Sequence, residues 1–297
     1  MSAFKKQRDK VANGKGFIAA LDQSGGSTPK ALSVYGIDES HWSSEAEMFK
    51  LVHEMRERIV SAQSFTGKNI IGAILFENTM NNSFNGKNSA DYLWEDKGIV
   101  PFLKIDKGLM EEEGGVQIMK PNSTLLTLLE RAKEKNIFGT KMRSVIKKAN
   151  KDSIKRLVEQ QFEIAEKILG AGLIPIVEPE VDIHCDNKQE AEELLRNEIS
   201  QNLDSISNNS EIMLKLTLPE INNFYKQFVS HNKILKVVAL SGGYSRAVAN
   251  ERLSKNNGVV ASFSRALTEG LSYNDSDEDF EKKLSESIGE ICTASIS

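Results

Sequence analysis

Lys215 lies within a short apolar run, Ile212-Met-Leu-Lys215-Leu-Thr-Leu218, whose length and composition predict a β-strand. An ammonium group in such a run loses hydration, which is unfavourable unless the group has a partner or a chemical task. The task would be attack of the neutral amine on a carbonyl carbon, which forms a Schiff base. A lysine near the end of a strand more often extends its charge to water, so this position alone does not establish a function.

Charged side chains also occur near the carboxyl ends of five further runs that predict strands. They are Asp22, Lys104, Asp106, Lys141, Arg143, Glu178, Glu180 and Arg265. Alternate residues of a strand face opposite sides, so Lys141 shares a face with Arg143, and Glu178 shares a face with Glu180. The repetition of charge at the same place in successive strands predicts one shared site.

These charged faces also predict the substrate class. The cations assigned to the interior (Lys104, Lys141, Arg143, Lys215, Arg265) exceed the carboxylates (Asp22, Asp106, Glu178, Glu180) by one, which indicates an anionic substrate. Cations close to Lys215 would favour its neutral, nucleophilic form. Glu178, Glu180 and Asp22 are available for proton transfer. The alternative is that the acids only neutralise the cations in a buried ion-pair network.

The elements that position these residues alternate along the chain. Strands are predicted at 16–22, 71–76, 101–106, 137–143, 174–180, 212–218, 236–241 and 259–265. Segments with helical spacing lie between them, for example 45–60 and 154–169. Eight βα units in a chain of this length predict a single-domain (β/α)₈ TIM barrel over residues 1–297. An open, doubly wound sheet is the alternative.

In the sixth strand, alternation directs Met213, Lys215 and Thr217 into the barrel. Leucines 214, 216 and 218 would then pack outwards on the helices. The charged residues fall at the carboxyl ends of strands, where barrel enzymes carry their active sites.

A glycine-containing loop follows the seventh strand. Ser241, Gly242 and Gly243 could form an ordinary turn, but Arg265 ends the next strand, and loops at this place in barrels commonly bind phosphate through backbone N–H groups. We expect a phosphate site here.

Composition excludes several classes of protein. The net charge is −4 and acidic residues are mixed with basic ones, so the chain has no positive electrostatic field that would attract nucleic acid or an anionic membrane. No segment is long and apolar enough to span a bilayer, and the first residues contain no apolar run, so we expect no signal sequence. Cys185 and Cys292 predict reduced thiols and a cytoplasmic location. The four histidines have no ligand spacing, so we expect neither a metal nor an organic cofactor. A homo-oligomer is left open.

The motifs resemble the class I, Schiff-base fructose-bisphosphate aldolases over nearly the whole chain. Ala-Leu-Asp22-Gln-Ser24-Gly-Gly-Ser27 is similar to the first-strand motif of that family, which implies that Asp22 assists cleavage next to the C4 hydroxyl and that the serines approach one phosphate. Leu-Lys104-Ile-Asp106 is similar to the third-strand motif and implies that Lys104 helps to bind the C6 phosphate side. Lys-x-Arg implies that Lys141 lies close to the reactive amine.

The same resemblance implies further roles. Arg143 would lie towards the sugar or its phosphate, Glu178 would be the general acid and base of Schiff-base formation, and Glu180 would support the nucleophile, Lys215. The residues implied to hold the phosphate beside the ketone are Ser241, Gly242, Gly243 and Arg265. The implied reaction is metal-independent, reversible cleavage of fructose 1,6-bisphosphate to dihydroxyacetone phosphate and glyceraldehyde 3-phosphate in glycolysis and gluconeogenesis.

Two departures qualify the resemblance. Only the Leu-Lys215 pair matches the surroundings of the nucleophile in the animal enzymes, and the chain lacks their C-terminal tyrosine. It is therefore more similar to a shorter bacterial branch. The rivals are another Schiff-base enzyme, such as a transaldolase-like transferase or an aldolase for a singly phosphorylated sugar, and a phosphate-binding scaffold without activity.

Overall fold

Eight parallel strands form the centre of the protein in a computed structural model, which describes residues 2–24 and 27–297 but not the side chain of Ser27. We number these strands β1 to β8. They are β1 Phe17–Leu21, β2 Ile70–Leu75, β3 Val100–Lys104, β4 Gly139–Ile146, β5 Ile174–Val181, β6 Ile212–Thr217, β7 Ile234–Leu240 and β8 Val260–Ala261. Neighbours in the sheet follow the order of the chain.

The two ends of this sheet meet. The Ala20 N–H of β1 donates a hydrogen bond of 3.0 Å to the carbonyl oxygen of Phe263, just after β8. Each predicted strand overlaps an observed one, so the predicted (β/α)₈ barrel is confirmed and the alternative of an open sheet is wrong.

Helices connect and surround the strands. They are α1 Ala3–Asn13, α2 Ser27–Val34, α3 Glu45–Ser61, α4 Glu77–Asn81, α5 Ser89–Asp91, α6 Leu125–Glu134, α7 Lys151–Gly170, α8 Lys188–Leu203, α9 Lys226–Val229, α10 Arg246–Ser254, α11 Arg265–Thr268 and α12 Asp277–Ser295. A 3₁₀ turn at Glu39–His41 and a π-helical turn at Tyr92–Asp96 complete the set. None of the described helices has the length and apolarity needed to cross a membrane.

Side-chain caps explain where the two predicted helices begin. The Ser44 hydroxyl accepts a hydrogen bond from the Glu47 N–H at the start of α3, and the Asn150 side chain accepts one from the Ser153 N–H at the start of α7. Each cap satisfies one of the free N–H groups of the first turn. The observed helices thus include the predicted segments 45–60 and 154–169 with small extensions.

Two small β-structures were not predicted. Ser83–Phe84 pairs antiparallel with Lys87–Asn88 after β2. Val116–Gln117 pairs antiparallel with Val145 and Ile146 at the end of β4, so the chain after β3 folds back onto the mouth of the barrel.

The apolar core has an inner and an outer layer, as alternation along the strands predicts. The inner cluster contains Ile18, Ala20, Phe102, Ile176, Met213 and Val238. The outer cluster, between strands and helices, contains Leu214, Leu216 and Leu218. The predicted orientation of β6 is therefore confirmed.

Helix α1 covers the end of the barrel where the strands begin. Val11 belongs to the inner apolar cluster. Arg8 binds Glu211 through two hydrogen bonds of 2.8 and 2.6 Å. The Lys10 ammonium donates to the Gly67 carbonyl, and the Lys236 ammonium of β7 donates to the Ala12 carbonyl at 2.8 Å. The end where the strands finish remains available for chemistry.

Candidate active site

Four buried, charged side chains form a continuous row at the carboxyl end of the barrel. The Lys215 Nζ lies 3.0 Å from Glu178 Oε1, and the Lys141 Nζ lies 2.9 Å from Glu178 Oε2. The Lys141 Nζ also lies 2.6 Å from Asp22 Oδ2. Each of the four residues is at most 8 % exposed. One carboxylate thus bridges two ammonium groups, one of which belongs to the predicted nucleophile.

The register of the strands explains this row. Lys141 of β4 is opposite Ile176 of β5, yet it pairs with Glu178, two residues further along. Arg143 is opposite Glu178 and pairs with Glu180, again two residues further. Strands in a barrel are tilted, and tilt brings such diagonal neighbours together.

Electrostatics keep three members of the row, Asp22, Lys141 and Glu178, charged. Burial alone would raise the pKa values of the Asp22 and Glu178 carboxyls, but Lys141 and then Lys215 outweigh burial and hold both pKa values below their ordinary range. Burial alone would likewise lower the pKa of Lys141, but Asp22 and Glu178 raise it. At neutral pH, Glu178 and Asp22 are therefore proton acceptors, and Lys141 is a fixed cation between them.

Arg143 and Glu180 form a second pair nearer the solvent. The Arg143 Nε donates to Glu180 Oε2 at 2.6 Å. Burial alone would lower the pKa of the guanidinium, but Glu180 outweighs burial and raises it. Among the residues described, Glu180 makes no ion pair with Lys215. The structure therefore brings Glu178, and not Glu180, to the predicted nucleophile.

Lys104 points towards the chain that follows β1. Its ammonium lies 2.8 Å from Asp106 Oδ1 and donates to the Ser24 hydroxyl at 2.9 Å. Lys104 is opposite Lys141 in the register, but the two lysines pair with different carboxylates. Two predicted binding residues, Lys104 and Ser24, are thus in contact, whereas the side chain of Ser27, the third, lies outside the described part.

The loop after β7 has the backbone expected of a glycine turn. Gly242 and Gly243 have φ angles of +61° and +118°, which glycine adopts without strain. A Cβ on Gly242 would lie 2.7 Å from the Ile183 side chain, and one on Gly243 would lie 3.5 Å from the Arg265 guanidinium. Ser241 accepts a hydrogen bond from the Tyr244 N–H through its carbonyl. The loop and the arginine therefore lie side by side.

Arg265 carries the excess positive charge. Its side chain is exposed and forms no hydrogen bond or ion pair with any residue that the structure describes. The other eight interior charges are paired: Asp22, Lys104, Asp106, Lys141, Arg143, Glu178, Glu180 and Lys215. Among the interior charges, Arg265 is thus the cation without a partner in the described part of the chain, and it is free to bind an anion.

Arg56 and Gln23 were not predicted as functional residues. Arg56 is completely buried and donates to the Gln23 carbonyl, one residue beyond Asp22. A signal was present, because Arg56 lies four residues after Val52 and three before Ile59, on the apolar face of α3. A charge at such a position is unusual and indicates a specific partner.

Three of the four histidines contact residues outside this row. His53 stacks on Phe84, His41 contacts Asp38, and the ring of His231 accepts a hydrogen bond from the Lys233 N–H. In residues 2–24 and 27–297, no three His, Cys, Asp or Glu side chains are grouped so that they could hold a metal ion.

Comparisons with known proteins agree on one family. The family described as "Fructose-bisphosphate aldolase class-I" matches residues 4–233. A protein of Clostridium acetobutylicum named "Fructose-bisphosphate aldolase class 1" is 58 % identical over 290 residues, which are 98 % of each chain. One of the same name from Synechocystis is 55 % identical over 291 residues, which are 98 % of this chain and 97 % of that one.

Solved structures show a similar fold. The fructose-bisphosphate aldolase of Plasmodium falciparum superposes with a TM-score of 0.76 at 18 % identity, over 98 % of this chain and 93 % of that one. An archaeal fructose-1,6-bisphosphate aldolase, solved with its catalytic lysine bound to a carbinolamine intermediate, gives a TM-score of 0.56 at 12 % identity, over 97 % and 99 % of the chains.

Proposed function

Since this chain belongs to the class-I fructose-bisphosphate aldolase family, we propose that Lys215 is the amine through which it acts. The enzyme cleaves fructose 1,6-bisphosphate reversibly to dihydroxyacetone phosphate and glyceraldehyde 3-phosphate through a lysine Schiff base. The observation that carries the assignment of Lys215 is the buried Glu178 carboxylate that bridges Lys215 and Lys141.

Schiff-base formation begins with loss of a proton from the Lys215 ammonium. Glu178 Oε1, at 3.0 Å, is the acceptor, and its low pKa means that it is ionised when substrate arrives. The neutral amine attacks the C2 carbonyl carbon and forms a carbinolamine. Glu178 then returns a proton to the oxygen, which leaves as water, and an iminium remains. Lys141 stays protonated and keeps the carboxylate in place.

Cleavage of the C3–C4 bond requires loss of the proton of the C4 hydroxyl. Asp22, on the far side of Lys141, is the ionised carboxylate that we assign to this step. As the C4–O bond becomes a carbonyl, the electron pair of the C3–C4 bond moves to the iminium and leaves an enamine. The aldehyde departs, C3 is protonated, and water hydrolyses the imine and releases the ketone and the free lysine.

The two phosphates are assigned to opposite groups of residues. Arg265, Ser241 and the backbone of Gly242 and Gly243 would bind the phosphate beside the ketone, because they form one unit with an unpaired positive charge. The residues assigned to the C6 side are Lys104, Ser24, Ser27 and Arg143. Glu180 holds Arg143 in place through their 2.6 Å hydrogen bond. In this scheme Glu180 acts on substrate binding and supports the nucleophile only indirectly.

We also infer the setting of this reaction. Residues 1–297 are proposed to act as one catalytic barrel domain in the cytoplasm, with sugar phosphates as partners. Cys185 and Cys292 are both unpaired thiols, which is consistent with a reducing compartment.

Reductive trapping tests the nucleophile. Dihydroxyacetone phosphate with borohydride should attach a three-carbon adduct to Lys215 and inactivate the enzyme. Lys215→Arg should fold but neither cleave substrate nor form the adduct, because a guanidinium stays protonated. Lys233 is a matched control, because it is a buried lysine bound to the carbonyl groups of Leu203 and Asp204. Lys233→Arg should keep the adduct, whereas an adduct on Lys104 or Lys141 in the unmodified chain would refute the assignment.

A further inference from the structure

We propose that Arg56 is a positioning residue, which holds residues 22–24 in the geometry that cleavage of the carbon–carbon bond requires. This inference rests on the proposed function, since it acts through Asp22 and Ser24. We call residues 22–24 the first-strand segment.

Arg56 reaches this segment from the outside of the barrel. It lies in α3 and is 0 % exposed. One end of its guanidinium donates to the Thr79 hydroxyl at 2.8 Å, and the other donates to the Gln23 carbonyl at 2.5 Å. Burial lowers the pKa of Arg56 to about 10, against an opposing effect of Asp22, so the group is still charged at neutral pH.

This arrangement is unfavourable unless the charge has a task. Within the described part of the chain, Arg56 forms no ion pair, and its Nε is buried without a hydrogen-bond partner. A buried charge that is not neutralised by a direct partner destabilises a protein strongly. The neighbouring core positions of α3 hold Met55 and Ile59, and an apolar residue at position 56 would fill the space at lower cost. The burial of this charge therefore indicates that Arg56 has a function, which its contacts identify.

Those contacts converge on the residues that handle the C4 and C6 ends of the substrate. Asp22 precedes Gln23 and pairs with Lys141, and Ser24 follows it and accepts from Lys104. The Gln23 side chain donates to the Ser264 hydroxyl at 2.6 Å, directly before Arg265. The first-strand segment is thus held at its backbone by Arg56 and at its side chains by groups from β3, β4 and the chain after β8.

Removal of Arg56 should therefore impair cleavage of the carbon–carbon bond and spare Schiff-base formation. Without it, the Gln23 carbonyl loses its donor, and Asp22 and Ser24 can shift relative to Lys141 and Lys104. Displacement of a reacting group by about 1 Å can reduce the rate about a hundredfold. Glu178 lies on β5 and Lys215 on β6, and neither touches Arg56, so Schiff-base formation should continue.

The experiment compares cleavage with imine formation in the full-length enzyme. For Arg56→Met, we expect kcat/KM for fructose 1,6-bisphosphate to fall about ten- to a hundredfold. The rate at which borohydride traps dihydroxyacetone phosphate on Lys215 should change less than about threefold, because this substrate has neither a C4 hydroxyl nor a C6 phosphate. Arg56→Lys retains the charge and one donor group and should recover part of the lost cleavage.

Two control variants separate positioning from general destabilisation. Thr79→Val removes the second hydrogen bond of the Arg56 guanidinium. Lys233→Met removes a different buried cation, which donates to the backbone carbonyls of Leu203 and Asp204. Both should lower the melting temperature and leave the ratio of cleavage to trapping unchanged.

The outcomes distinguish the two proposals. Equal loss of cleavage and trapping in Arg56→Met, or no loss of either, would overturn the role of Arg56. If Arg56→Met does not fold, the same ratio measured in Arg56→Lys decides, because an unchanged ratio there contradicts the proposal and a selective loss of cleavage supports it. Failure of the unmodified enzyme to form any imine would instead refute the assignment of Lys215.

Discussion

Substitution of Arg265 by alanine tests the assignment of the two phosphate sites. Arg265 is exposed and lacks a hydrogen-bond or ion-pair partner in the described part of the free enzyme. Its loss should therefore change the free energy of unfolding by no more than about 0.5 kcal/mol. Any large effect must arise when substrate is bound.

The size of that effect follows from the contact that is lost. A hydrogen bond to a charged group contributes about 1.5–3 kcal/mol, and about 1.4 kcal/mol corresponds to a factor of ten. We therefore expect kcat/KM to fall about ten- to a hundredfold in Arg265→Ala. Because the ketone end carries its phosphate in both substrates, fructose 1,6-bisphosphate and fructose 1-phosphate should be affected alike.

Ser24→Ala provides the matched comparison. The Ser24 hydroxyl contacts Lys104 on the side that we assign to the C6 phosphate. This variant should reduce kcat/KM for the bisphosphate by a similar factor of about ten to a hundred and leave fructose 1-phosphate nearly unchanged. The assay is steady-state cleavage of both substrates by both variants, with melting temperatures as the measure of folding.

Two results would refute this reasoning. Equal losses for both substrates in Ser24→Ala would mean that Ser24 does not serve the C6 phosphate. A loss confined to the bisphosphate in Arg265→Ala would mean that the two ends of the substrate are assigned the wrong way round.

Two further predictions concern metal and pH. Cleavage should persist after dialysis against a chelator, because the Schiff base performs the electron withdrawal that a metal ion would otherwise provide. Loss of activity on dialysis, followed by recovery when zinc is added, would contradict this prediction. Since the pKa of Asp22 is lowered in the folded protein, its contribution to stability is present above the unfolded pKa of about 4 and is lost as the pH falls towards the folded value. Melting temperatures between about pH 2 and pH 6 should therefore fall less steeply with acid in Asp22→Asn than in the unmodified enzyme, and parallel curves would show that Asp22 is not stabilised in this way.

Periodicity in the sequence was sufficient to predict the strands and the direction in which their side chains point. Alternation places Lys141 and Glu178 on interior faces whatever the details of packing, and both are found there. It does not determine which interior charges meet. The contact of Arg143 with Glu180 depends on the tilt between β4 and β5, which a single strand does not reveal.

Arg56 was missed for a different reason. The predicted site residues all lie near the ends of strands, whereas this cation comes from a helix and contacts a backbone carbonyl. The spacing of α3 places Arg56 on the apolar face, but its partner, the Gln23 carbonyl, belongs to another element and no local pattern identifies it. The short strand Val116–Gln117 was missed because two residues carry too little alternation to be recognised.

The contacts of helix α1 have a consequence for the order of folding. Lys10, Arg8 and Ala12 bind residues that are 57, 203 and 224 positions away along the chain. Closing such long loops is entropically unfavourable and contributes to slow folding. Most of these partners do not exist when α1 leaves the ribosome, and the apolar surface that receives Val11 is complete only when the eighth strand meets the first. Helix α1, which is synthesised before the residues that it contacts, is therefore fixed last.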